Sequence, residues 1–494
     1  MNKTFKQAIF VYALAILAGV LAYSLRILFA RNLSLFEYGL FYAVYSFIFF
    51  FAPFRDLGLS EATLFFINKY LAKKDKSRIK GVMIVGFVPQ FVLGLIITLI
   101  LFLLRNFLVE HYFKTPLALS VYNILLVLFA FHTILPTLMY LFSAYQKVVY
   151  FKIAEVMNLS SILFLSIILF STTDLGVRVP AYSHLFGALI TILVYYIFFV
   201  LNFKDIIKTK AKINKDLVRE VFSYALPIMF STAAGIILTY SDIILLTFFK
   251  GAEATGLYNI ALPSLMIMLV FIIPLQIILF PKFSRWYHEE KDKTIISALN
   301  LIYNNFLFLS LPLGLIFFAY PELVIKVLFG AKYLDAANTL RIFAAFFVFR
   351  AIREINFAIV AGIGKAKERS KVVYYAALFN VILDIILIPM FSVMGAAIAT
   401  SLSWVLMAYL THKIITKDYK AKIDFKLQLK VVLSNVLFLL SIFVLKKLFT
   451  LTNAIIEAVL VLTIASFVYI ISLFMFKALT TDKILHFKKI IFSG

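Results

Sequence analysis

Long apolar stretches separated by short polar, lysine-rich breaks run the whole length of the 494-residue chain. Fourteen of them are close to or above the ~20 residues a helix needs to cross a bilayer. They cover residues 8–30, 38–67, 82–104, 117–142, 150–171, 178–201, 221–248, 256–281, 296–319, 334–362, 371–391, 394–412, 430–448 and 453–476. In hydrocarbon every backbone N–H and C=O must be satisfied within the protein, so spans of this length are predicted to be α-helices. Several are longer than the bilayer needs and are expected to tilt, kink or protrude. The first follows a short basic start and exceeds a signal-peptide core, so it reads as a retained helix.

Composition points the same way. Hydrophobic residues make up 63% and charged residues 15% of the chain, and the mean hydropathy is +1.01. Soluble domains sit nearer ~45–50% apolar and ~25% charged. Forty-eight Lys and Arg against 24 Asp and Glu give a net charge of +24, which in a soluble protein would suggest nucleic acid. Here the basic residues alternate by loop: 34 lie on the side of the termini, 9 on the other and 5 within spans. Loops rich in Lys and Arg stay cytoplasmic, so a multi-pass cell-membrane protein with both termini cytoplasmic and no nucleic-acid partner is expected. The chain has no cysteine, which excludes disulfides and thiol chemistry.

A shift of 217 residues superposes Leu21, Tyr23, Ser24, Ile27, Leu28, Gly39 and Leu40 on Leu238, Tyr240, Ser241, Ile244, Leu245, Gly256 and Leu257. Asn158 through Gly176 echoes Asn380 through Gly395 more loosely. Six spans separate the copies, so the repeat is parallel, with a pseudo-twofold axis along the membrane normal. The expected fold is an all-α membrane protein of fourteen transmembrane helices: two six-helix bundles around a central cavity, plus two extra C-terminal helices. The corresponding domains are an N-terminal bundle (1–201), a basic cytoplasmic linker (202–220), a C-terminal bundle (221–412), a basic cytoplasmic loop (413–429), and helices 13 and 14 with the tail (430–494). Seven prolines inside spans (Pro53, Pro89, Pro136, Pro227, Pro263, Pro274 and Pro312) are candidate kinks.

No catalytic motif is present. Gly362-Ile363-Gly364-Lys365 lacks the spacing of a phosphate loop, and the six histidines lack metal-ligand spacing. Outer loops are short, so a transporter is expected in preference to an enzyme, with no metal and no cofactor. The chemistry lies in the five intramembrane arginines: Arg26, Arg55, Arg341, Arg350 and Arg353. A charge at that depth costs from ~3 to more than 10 kcal/mol and therefore faces a partner or water. Arginine cannot escape by losing its proton, and its planar fork suits phosphate. Arg350, Arg353 and Glu354 span a 100° arc of the tenth helix, facing a cavity or neutralised in part by the Arg350–Glu354 i,i+4 pair. Arg55 is either cavity-facing or paired with the adjacent Asp56. Arg26, one turn from the outer end of its helix, could snorkel, as could Arg341, for which a structural pair is the alternative. Asp56, Asp242, Glu354 and Asp384 are counter-ions, or else sites for a coupling H+ or Na+. Tyrosine (26) and phenylalanine (55) read mostly as lipid-facing bulk and interfacial belt.

Several segments, in order, carry a family resemblance: FARNLSLFEYGLFYAVYS (29–46), RDLGLSEA (55–62), SDIILLTFFKGAEATGLYNIA (241–261), LFGAKYLDAANTLRI (328–342), AGIGKAKERSK (361–371) and MGAAIATSLSW (394–404). With the fourteen-span layout, the chain resembles the polysaccharide-transporter branch of the multidrug/oligosaccharidyl-lipid/polysaccharide exporter superfamily. The resemblance implies a flippase that moves a polyprenyl-(pyro)phosphate-linked oligosaccharide to the outer leaflet, with membrane lipid and glycan-assembly membrane proteins as partners. It also implies that Arg26 and Arg55, on helices matching those whose arginines line a cationic cavity in relatives, contact the (pyro)phosphate. Arg350 and Arg353 join them on physical grounds alone. The alternatives are a cation-coupled multidrug exporter of the same fold and a membrane glycan polymerase or ligase. The first should favour acids over arginine in its cavity; the second would need larger outer loops.

Overall fold

The computed structural model describes residues 3–449 and 452–479; Lys483, Lys488 and Lys489 of the basic tail lie outside the described residues. Every regular element among the described residues is a helix, and twelve helices are long and apolar enough to cross a membrane. The protein is a multi-pass helical membrane protein. The difference from fourteen expected spans has two sources. The seventh and eighth are one 57-residue helical stretch, Lys215–Phe271, interrupted at Gly251, whose φ of 83° and ψ of −171° turn the chain. The tenth is broken at Phe346 into Ala337–Ala345 and Phe347–Gly362, and its arginines lower its hydropathy.

Proline explains most of the breaks, because it removes an N–H and crowds the carbonyl four residues back. The second span divides into Leu35–Phe49, Ala52–Asp56 and Leu59–Ala72 around Pro53. The fourth divides into Leu117–Phe131 and Ile134–Ala144 just before Pro136. A 3-10 turn, Ile267–Phe271, precedes Pro274. Pro89 sits inside Lys76–Leu103 without interrupting it.

Packing divides the chain into two compact units, Met1–Gly256 and Leu257–Gly494. In the first, Leu59, Phe66, Tyr70, Phe142 and Tyr195 build a buried core toward the end that carries the basic loops. Its second span starts at a capping box in which the Ser34 hydroxyl accepts from Glu37 N and the Glu37 carboxylate accepts from Ser34 N.

The internal repeat appears in this unit as a contact. Gly39 and Gly256, superposed by the 217-residue shift, lie against each other. A Cβ on Gly39 would stand 1.8 Å from the Ala252 carbonyl oxygen and 2.8 Å from Gly256 N. A Cβ on Gly256 would stand 2.9 Å from the Leu35 carbonyl oxygen. Leu35 and Ala252 are themselves repeat equivalents, so each glycine is covered by the other copy's residue four positions earlier. Small residues four apart let helix backbones approach this closely.

In the second unit, Phe425–Leu448 and Ala454–Met475 pack on each other, and the first of them also packs on Leu307–Ala319. The chain leading into them is held by asparagines of the ninth span. Lys422 N donates to Asn300 Oδ1 at 2.5 Å and Asp424 N to Asn304 Oδ1 at 2.8 Å. The two C-terminal helices are therefore fixed to their unit at both helix and loop level.

Candidate functional site

Arg26 lies on Lys3–Asn32, half-buried, and the residues around it are aromatic. Tyr38, Tyr42, Tyr45 and Phe49 recur at i, i+4, i+7 and i+11 on Leu35–Phe49, which places them on one helix face. The Arg26 guanidinium lies over the Tyr42 ring, 4.9 Å from its centroid, and is hydrogen-bonded to the Tyr38 hydroxyl. Tyr23, Tyr240 and His184 complete its surroundings. The His184 ring lies 5.8 Å from Tyr45, and its Nδ1 donates to the Pro180 carbonyl at 2.7 Å. Arg26 forms no salt bridge among the described residues, and its Nη1 is buried with no hydrogen-bond acceptor. Tyrosine hydroxyls and a ring face stabilise the cation without cancelling it.

Arg55 is placed differently. It sits in the short Ala52–Asp56 helix and is 6% exposed. Its Nη1 donates to the Phe129 carbonyl at 2.9 Å and its Nη2 to His132 Nδ1 at 3.2 Å. Phe129 is four residues before Thr133, in the turn where the fourth span is interrupted, so its carbonyl is one that the break exposes. The guanidinium also lies over the Phe129 ring at 4.6 Å, and Gly94 leaves room for its stem, since a Cβ there would be 3.0 Å from Arg55 Cδ. Asp56 does not pair with it: its carboxylate takes the Ser60 hydroxyl and, at 3.2 Å, Gly58 N. Arg55 thus joins two broken helices, and only its Nε lacks an acceptor.

In the second unit, Arg350 and Arg353 both pair with one oxygen of Glu354. The second oxygen accepts from Gln276 Nε2 at 2.6 Å, and the same amide donates to the Glu354 carbonyl at 2.7 Å. What remains for the two guanidiniums is soft: Arg350 Nη2 points at Met266 Sδ (3.9 Å) and Arg353 Nη1 at Met407 Sδ (3.6 Å). Arg353 Nε has no acceptor. Two permanent cations on one carboxylate leave this cluster with one positive charge and more donors than acceptors, with side chains only 14–15% exposed. Arg341 is outside the cluster, paired with Glu322 and bonded to Asn338 Oδ1 at 2.9 Å. Asp242 and Asp384 are buried, at 2% and 0% exposure, in the first and second unit respectively.

Sequence reasoning singled out the arginines and Glu354 but missed Gln276, the Phe129 carbonyl, His132 and the tyrosine stripe. The stripe's spacing was readable; the partners of Arg55 and Glu354 lie on other helices and leave no local trace.

A bundle of long apolar helices with arginines at membrane depth defines a multi-pass membrane protein. The chain belongs to the family of polysaccharide biosynthesis proteins, whose family model matches residues 5–287, within the polysaccharide-transporter branch of the multidrug/oligosaccharidyl-lipid/polysaccharide exporter superfamily. It is 29% identical over 422 residues to an uncharacterized membrane protein of Methanocaldococcus jannaschii, covering 82% of this chain and 83% of that one. It is 22% identical over 186 residues to a probable low-salt glycan biosynthesis flippase, Agl15, of Haloferax volcanii, covering 38% and 39%. Its fold matches that of the lipid II flippase MurJ in an inward closed conformation (TM-score 0.77, 17% identity, 95% of this chain and 98% of that one). An inward-facing multidrug resistance MATE family transporter is also similar in fold (TM-score 0.64, 17% identity, 81% and 95%).

Proposed function

We propose that the protein is a flippase that carries a polyprenyl-(pyro)phosphate-linked oligosaccharide from the cytoplasmic to the outer leaflet of the cell membrane, for surface glycan assembly, with both termini cytoplasmic. The observation that carries this reading is the Arg350–Arg353–Glu354 cluster. Its spare charge and thioether-capped donors call for an oxyanion, which charge-assisted, bidentate bonds to guanidinium would hold well. Arg26 offers a second cation, and its tyrosines offer hydroxyls and ring faces to a sugar phosphate. Arg55, with two of its nitrogens taken up by Phe129 and His132, holds the broken helices that frame this region and contributes at most Nε. We assign Arg26 in the first unit, and Arg350 and Arg353 in the second, as cations available to the phosphate.

In this reading the two units alternate access to the two sides, the sugar stays in water and the prenyl chain stays in lipid. A diphosphate diester carries about two negative charges, each worth ~2.3 kcal/mol per 100 mV, so an inside-negative potential of that size favours outward transfer by roughly 4–5 kcal/mol. Asp56, Asp242, Glu354 and Asp384 are the carboxylates we propose as counter-ions or as sites for a coupling H+ or Na+. The protein works as a transporter, not an enzyme, alongside membrane proteins that make and consume the glycan. A multidrug exporter for cationic drugs is disfavoured by the cluster's positive charge.

The test is glycan export in a strain lacking its own flippase. Arg26→Ala and Arg353→Ala should each abolish complementation at normal protein level. Full complementation by both would overturn the reading.

A further inference from the structure

Between Ile273–His288 and Phe347–Gly362 lies a window in the second unit. At one end the helices are clasped by Gln276, which donates to both the backbone and the carboxylate of Glu354. At the other they touch: a Cβ on Gly362 would stand 2.9 Å from Phe283 Cβ and 3.0 Å from the Phe280 carbonyl oxygen. From Glu354 to Gly362 is eight residues, about 12 Å of helix. Along that length the two packed helices border an open groove of about 370 Å³. Phe357, Ala358 and Ala361 line it from the Glu354 face at i+3, i+4 and i+7. Ile277 and Phe280 line it from the other side and are 55% and 47% exposed, on a surface that the membrane would cover.

The window's polar end is cationic. Arg369, at the start of Ala366–Phe391 and within the basic 364–371 segment, closes the mouth. It is exposed and forms no salt bridge among the described residues. Its guanidinium lies 5.6 Å from the Phe357 centroid, and that of Arg353 lies 5.1 Å from the same ring. One phenyl group therefore links a cation at the membrane surface to the cation cluster inside the membrane. Apolar walls open to lipid and a basic mouth fit the phosphate and first carbons of an amphiphile.

We infer that this window is an entry site, where the isoprenyl phosphate of the substrate is taken from the cytoplasmic leaflet by Arg369 and handed across Phe357 to Arg353. The inference rests on the flippase reading, and it adds a binding site that reading does not require. The occupant is an isoprenyl phosphate, because the cation ladder leads inward to the transport cluster; a site for bulk phospholipid would need only the mouth.

The test uses the purified full chain and farnesyl phosphate bearing a benzophenone on its isoprenyl end. Photolabelling should fall on peptides from 273–288 and 354–369. Arg369→Gln, an exposed substitution, and Ala361→Trp, which fills the window, should each reduce it at least fivefold, and excess phosphatidylglycerol should leave it intact. Labelling elsewhere, labelling indifferent to both substitutions, or complete competition by phosphatidylglycerol overturns the entry site. If labelling ignores Arg369→Gln while export still requires Arg353, the entry site is wrong and the flippase reading stands. If labelling obeys the window variants while export ignores every arginine substitution, the window stands as a lipid-phosphate site and the flippase reading falls.

Discussion

The spare charge on the helix that carries Arg350, Arg353 and Glu354 can be titrated by mutation. Arg353→Gln leaves Arg350 facing Glu354 as a neutral pair, so the cluster falls from one positive charge to none. Glu354→Gln raises it to two, and the double substitution Arg353→Gln, Glu354→Gln returns it to one. A unit charge ~4 Å from an anion is worth about 1 kcal/mol in water and about 4 kcal/mol at the effective dielectric of partly buried sites. With side chains only 14–15% exposed, the upper end applies, and a 4 kcal/mol loss corresponds to nearly a thousandfold weaker anion binding. Partial hydration reduces this, so Arg353→Gln should lower export at least tenfold. The double variant should regain a substantial part of it, because its charge is restored although two side chains have changed. Glu354→Gln alone should keep anion binding, but removing one partner from a buried ion pair costs about 3–5 kcal/mol, so it should melt at a lower temperature. Surface glycan in a flippase-deficient strain, normalised to membrane protein level, reads the first two; thermal unfolding in detergent reads the third. A double variant as inactive as Arg353→Gln, at equal protein level, would show that geometry and not charge governs the cluster.

Four further outcomes are expected. Gly39→Ala should destabilise the protein by at least the 1–3 kcal/mol typical of overpacking, since its Cβ meets backbone at 1.8 Å. Gly256→Ala, whose nearest contacts are at 2.9 Å, should cost less, and equal melting temperatures would sink the reciprocal-contact reading. Arg55→Ala should lower stability by about 1–3 kcal/mol by leaving the Phe129 carbonyl without its donor; unchanged melting with lost export would make Arg55 a substrate ligand instead. Tyr42→Phe should keep export and Tyr42→Ala should reduce it, because the ring face and not the hydroxyl supports Arg26, by about 1 kcal/mol. At the exposed end of Ile273–His288, Arg285 on the helix and Lys291 in the following loop hold the Glu289 carboxyl down to about 2. A depressed carboxyl stabilises the fold above its unfolded value and loses that contribution only as pH falls toward 2, so NMR should show Glu289 still ionised at pH 3.5.

How much of this was legible in the sequence follows from what each feature depends on. The spans, their helical state and the repeat depend on composition along the chain, and a run of apolar residues in lipid has little choice but helix. Of the fourteen expected spans, twelve appear as helices long and apolar enough to cross: the seventh and eighth run together across Gly251, and the tenth is divided at Phe346 and carries three arginines. The arginines were visible as anomalies because charge at membrane depth is costly wherever it points. Their partners were not, because partnership is decided by which helices become neighbours. Asp56, adjacent in sequence to Arg55, turned out to hold the turn at Gly58, while a carbonyl 74 residues away took the guanidinium.

Glu354 shows the same rule from the other side. The i,i+4 spacing correctly paired it with Arg350, yet what matters functionally is that Arg353 shares the same oxygen and Gln276 takes the other. Local spacing therefore found the pair, and only the packed structure shows that the pair is one carboxylate short. Among the described residues no other acid pairs with Arg350 or Arg353, and the thioether sulfurs of Met266 and Met407 are too weak as acceptors to complete two guanidiniums. Under the proposed function, an oxyanion arriving from outside is the group that would complete them.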